Sequence, residues 1–148
     1  LSKSFRDKAR LARQLSLSDW LILAEAWRLL LLFYLALRWV SYERIMPPAC
    51  PTLESAPDSP AALVVAQRLQ RLVGFASRLH AAPMTCLVKA LALQKMLSGR
   101  DIPAQVRIGI HKTPAEIHAH AWVEIKGEAV GESQEVAAKF RILNPSGA

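Results

Sequence analysis

Cys86 opens the run CLVKALALQKML, which reads as a helix, and His120 lies further on in HAHAWVEIKGE, which reads as a strand and hairpin. A thiol at a helix start paired with a strand imidazole is the layout of a thiol hydrolase or an acyl-transfer enzyme. Such chemistry needs the thiolate, and a free thiol with a pKa of about 8.5 is only slightly ionised at neutral pH. A helix N-terminus helps through its unpaired N–H groups and the positive end of its dipole. A histidine within reach takes the thiol proton and later gives one to the leaving amine.

The neighbours of this pair extend the constellation. His118, His120 and Trp122 repeat every two residues, so a strand turns them to one face; Trp122 would shield the imidazole, and His118 is a further substrate-side candidate. If Lys126-Gly127 is a tight turn, Glu132 on the returning strand comes near His120 and orients it. A metal reading competes, because His111, His118, His120 and Cys86 are ligand types that zinc accepts. A bare HxH with one cysteine is a weak signal, so neither a metal nor another cofactor is assigned. A bland reading competes too: a cysteine in an apolar helix is usually packing, and a strand histidine is usually structural. Cys50 sits among prolines with no helix beneath it and is the weaker nucleophile, while His80 and His111 receive no role.

Three regions must position these residues. Residues 1–46 hold DWLILAEAWRLLLLFYLALRWV, whose uninterrupted apolar run, Leu29 to Leu37, is nine residues long. That is about half a membrane span, and a wider window takes in Glu25, Arg28 and Arg38, so no transmembrane span is expected. The segment reads as a helix that wants a protein partner, from its own domain or another, with peripheral membrane contact as the lesser reading. Residues 47–58, PPACPTLESAPD, read as a proline-rich linker. In residues 59–148, Ser59-Pro60 marks a helix start; Val65, Leu69, Leu72, Val73, Ala76 and Leu79 form its apolar stripe, opposite Arg68, Arg71 and Arg78. Thr85 caps the Cys86 helix, Gly99 ends it, and Lys89 and Lys95 reach outward. AQVRIGI, IHAHAWVEI and FRIL then read as strands. Helices first and antiparallel strands afterwards argue an α+β fold, one globular unit.

The composition sets the frame. A chain of 148 residues suits one domain. Two cysteines are too few for a disulfide framework, which with a reduced catalytic thiol points to the cytoplasm. The formal charge of +7 includes Lys3, Arg6, Lys8, Arg10 and Arg13, a basic end that is a solvated face unless an acidic partner or anionic surface meets it. No secretory signal, glycine-rich phosphate loop, repeat or nucleic-acid-binding motif is found.

The stretch CLVKALALQKMLSGRDIPAQVRIGI, followed by AHAWVEIKGEAVGE, resembles the transglutaminase-like leader peptidases of lasso-peptide biosynthesis, compact relatives of papain-type and transglutaminase enzymes. The resemblance covers about residues 59–132. It implies a transglutaminase-like (papain-like) fold and a Cys-His-acid triad that cuts the leader from a ribosomal precursor peptide. Cys86 would be the nucleophile and His120 the base. The family's aspartate falls at Glu132, a methylene longer, and Asn144 is the alternative orienter. The resemblance also implies partners: the precursor, a separate leader-binding recognition protein, and an ATP-dependent macrolactam cyclase that takes the released core peptide. An amide or acyl transferase with the same triad, and a non-catalytic peptide-binding scaffold of the same fold, are the competing functions.

Overall fold

The computed structural model of the chain describes residues 16–45, 60–113, 116–131 and 139–143. Cys50, Ser59, Glu132, Asn144, the basic first residues and the proline-rich segment lie outside them.

Helix α1 (Leu17–Trp39) starts at a capping box. The Ser16 hydroxyl accepts from the Asp19 N–H at 3.2 Å, and the Asp19 carboxylate accepts from the Ser16 N–H at 3.0 Å. By length and composition α1 could cross a membrane, but one side of it is built into the core through Leu23, Ala26, Leu29 and Leu30. Two ion pairs fasten that side. Arg68 Nε donates to Asp19 Oδ1 at 3.0 Å; Arg100 meets Glu25 with both nitrogens, at 2.8 and 3.3 Å. A short α2 (Tyr42–Ile45) follows.

Helix α3 (Pro60–Ser77) begins at the expected proline and buries Ala66, Leu69, Leu72, Val73 and Ala76. Val65 and Leu79, expected in that stripe, are exposed. The helix ends before Leu79, and Ala66 takes the inward position that Val65 was given, because the small side chain lets α1 approach closely. His80, just past the helix, stacks on Trp27 of α1 with ring centroids 4.6 Å apart.

Helix α4 (Cys86–Ser98) is the centre of the core, burying Val88, Ala90, Leu91, Ala92, Leu93, Met96 and Leu97 against α1, α3 and the sheet. Its end differs from the expectation. Gly99 stays right-handed, and Asp101 instead adopts φ 55° while the Ile102 N–H reaches back to the Leu97 carbonyl at 3.1 Å. This six-to-one bond closes the helix, and aspartate tolerates the left-handed region well enough to hold it.

Four antiparallel strands follow: β1 (Gln105–Lys112), β2 (Ile117–Ile125), β3 (Glu128–Ala129) and β4 (Arg141–Ile142), in the order β3-β2-β1-β4. The register Val106↔Val123 and Ile108↔Ala121 sets apolar residues opposite one another, and Val106, Ala121 and Val123 join the helical core. The Lys126-Gly127 turn forms as the sequence indicates, with φ of 51° and 82°, the two positive values of a type I′ hairpin. The fold is α+β, helices against one antiparallel sheet.

Candidate active site

Thr85 caps α4 with its hydroxyl accepting from the Val88 N–H at 3.4 Å, so Cys86 is the first helical residue. The N–H groups of Cys86 and Leu87 precede the first intrahelical bond and remain available as donors. The Cys86 thiol is free and half-buried. Met84 and Leu87 beside it pack against the core, which holds the thiol's position.

His120 is opposite Gly109 in the β1–β2 ladder. Its ring lies 6.0 Å from Trp122 at 21° and 5.4 Å from Phe140. Gly109 makes this cluster feasible, because a Cβ there would sit 2.6 Å from Phe140 Cβ and 2.9 Å from the Trp122 ring. Trp122, 3% exposed, is fixed in turn: its Nε1–H donates to Glu124 Oε1 at 2.8 Å, and Arg107 Nε donates to Glu124 Oε2 at 2.9 Å. Glu124 therefore serves the tryptophan, with both carboxylate oxygens engaged.

Cys86 and His120 line one cleft of about 140 Å³, together with Trp122 and an apolar wall from α3, α4 and β2. A side chain or a short stretch of backbone can enter the cleft. The structure thus brings three of the sequence-derived residues together. His118 is elsewhere: it is exposed, 3.3 Å from Glu116, and does not line the cleft. His111 is turned to the Lys139 backbone carbonyl at 3.1 Å. Among the described residues no three histidine, cysteine or acidic side chains gather as a metal site would require. Glu132 and Asn144, the two orienter candidates, lie outside the described residues.

Sequence reasoning missed two lining residues and one packing residue. Lys89, expected to point outward with Lys95, lines the cleft. It stands three residues after Cys86, and that spacing puts both on one helix face, which is the signal that was there to be read. Gln70, a polar residue beside the buried Leu69, also lines it. Phe140, which covers His120, had no signal of its own.

This architecture agrees with the comparisons to known proteins. The sequence profile of the transglutaminase-like superfamily matches residues 27–144, from the middle of α1 to beyond β4. The microcin J25-processing protein McjB of Escherichia coli is 29% identical over 58 residues, which are 39% of this chain and 27% of that protein. The matched stretch therefore spans about a quarter of that relative's length. No solved structure matches significantly. With the profile covering most of the chain, and with helices packed on an antiparallel sheet beneath a Cys-His cleft, the chain belongs to the transglutaminase-like superfamily.

Proposed function

We propose that the protein is a cysteine endopeptidase that removes the leader from a ribosomally made lasso-peptide precursor. The observation that carries this reading is that Cys86, at the first position of α4, and His120, on β2, line the same cleft. The similarity to a microcin-processing protein supports the class of substrate.

In this mechanism His120 accepts the Cys86 proton and the sulfur attacks the scissile carbonyl carbon. The oxyanion that forms meets the backbone N–H of Cys86 at the helix end. Collapse breaks the C–N bond, and the imidazolium gives its proton to the leaving amine. Water, deprotonated by the imidazole, then hydrolyses the thioester and regenerates the thiol. Trp122 and Phe140 shield His120 from bulk solvent. Glu132, or Asn144 in its place, orients the ring. A separate leader-binding protein delivers the precursor in the cytoplasm, and the cyclase consumes the product.

Intact-mass analysis of precursor, leader-binding protein and enzyme tests the proposal, with Cys86→Ala in parallel. Cleavage at one bond, abolished in the variant, is expected. An adduct on the new carboxyl would show transfer instead. An intact precursor in a demonstrably formed complex would refute the peptidase and favour a scaffold.

A further inference from the structure

The cleft carries charge that the reaction above does not use. Among the described residues its lining includes Lys89 and no aspartate or glutamate. The ion pairs among the described residues, Arg68–Asp19, Arg100–Glu25, Arg107–Glu124 and Glu116 with His118, leave Lys89 outside them. Lys89 is a half-buried residue in a cleft also lined by Val73, Leu93 and Val130, and no described residue gives it a counter-charge. A ligand carboxylate would supply it through a charge-assisted hydrogen bond.

The facing wall is shaped for the same ligand. Gln70 reaches over Gly131, its carboxamide atoms 2.1–2.2 Å from where a Cβ at that position would lie. Gly131 has φ +73°, so glycine is suited there both for space and for conformation. The carboxamide is seated against backbone and makes no hydrogen bond to the other described residues. No described residue takes its two N–H donors, which can serve a group entering the cleft.

We propose that Lys89 and Gln70 form a carboxylate-binding subsite beside Cys86, so that the peptide taken here presents an acidic group next to the bond attacked. Cys86 and Lys89 share a helix face with a rise of about 4.5 Å between them. An extended peptide advances about 3.3 Å per residue. The carboxylate is therefore one or two residues from the scissile carbonyl, as an aspartate or glutamate side chain; a free C-terminus that close would make the cut an exopeptidase's, and the test separates the two. This inference takes its peptide from the peptidase reading, but its test needs no cleavage.

The test is alkylation of Cys86, followed by mass spectrometry in a Cys50→Ser background. The two reagents are iodoacetate and iodoacetamide, which differ in charge and little in size. The ratio of their rates should fall roughly tenfold or more in Lys89→Met, the effect for unit charges about 6 Å apart at an effective dielectric of about 40 or below. Lys89→Arg should keep the ratio. A ratio changed about threefold or less in Lys89→Met overturns the proposal, since that is the most an ammonium at this separation exerts through bulk water. Protection against iodoacetamide then identifies the source: N-acetyl-aspartic acid α-amide presents a side-chain carboxylate, and N-acetyl-alanine presents a terminal one. Protection no better than that by neutral N-acetyl-alanine amide also overturns the subsite. A Lys89-dependent ratio in a protein that cleaves no precursor would sink the peptidase reading alone.

Discussion

Gly109→Ala is a severe test of how His120 is positioned, because the change adds one methyl group at a point where the strand faces two rings. The new Cβ would sit 2.6 Å from Phe140 Cβ and 2.9–3.0 Å from Cη2 and Cζ3 of Trp122. Neither neighbour is a loose chain end. Trp122 is buried and hydrogen-bonded to Glu124, and the Phe140 contact is at its Cβ, which moves only with its backbone. Overpacking of this kind costs about 1–3 kcal/mol, and replacing a strand glycine returns about 0.5–1 kcal/mol. The net expectation is a loss of about 1–2 kcal/mol, read as a melting temperature lowered by roughly 2–8 °C. Cleavage should fall further than stability does, since Gly109 is paired with His120. Calorimetry and urea unfolding measure the first effect, and single-turnover cleavage the second. The geometry also ranks second-site changes. Trp122→Phe in the Gly109→Ala background should recover part of the loss by withdrawing the far ring edge. Phe140→Ala should not, because it retains the clashing Cβ. A Gly109→Ala protein that melts at or above wild type, or is rescued by Phe140→Ala, would refute the reasoning.

Three further outcomes are expected. Thr85→Ala removes the cap of α4, so stability should fall by about 0.5–1 kcal/mol in urea titration, and alkylation of Cys86 should slow as its helix end frays. Gly131→Ala places a side chain at φ +73° and evicts the Gln70 carboxamide; it should destabilise by about 1–2 kcal/mol, and structure determination of the variant should find Gln70 displaced. The Asp19 carboxyl is held below its ordinary value of 3.8 first by the hydrogen bond from Arg68 and then by those from Ser16. The folded state thus prefers the carboxylate. Its contribution is complete above the unfolded value and is lost as pH falls through the folded one. Asp19→Asn should therefore melt below wild type at pH 7, and the two curves should converge once the pH is below the depressed value.

The elements nearest the chemistry were the most legible in the sequence. Thr85 before an apolar helix, alternation in IHAHAWVEI and the Lys126-Gly127 turn each carry a local signal, and each corresponds to an observed element. What the sequence did not reveal is tertiary. Val65 and Ala66 are both apolar, and only the closeness of α1 decides which turns inward. Gly99 is the commoner helix terminator, yet the bond from Ile102 to Leu97 places the left-handed residue at Asp101. Lys89 shares a helix face with Cys86, a spacing the sequence displays, but that β2 and α3 close a cleft over that face of α4 is a long-range fact. The cover that Phe140 gives His120 depends on β4 pairing with β1, a long-range contact.

The two ion pairs on α1 also fix its roll. Asp19 and Glu25 are six residues apart, so at about 100° per residue their side chains leave the helix at azimuths roughly 120° apart. One is held by α3 through Arg68 and the other by Arg100 just past α4. A rod fastened at a single azimuth can still turn about its own axis, whereas one fastened at two cannot turn without breaking a fastening. The outward stripe of Leu17, Leu21, Leu32, Leu35 and Trp39 is accordingly a surface of set orientation. Any molecule that approaches α1 meets the same residues at the same angle to the cleft.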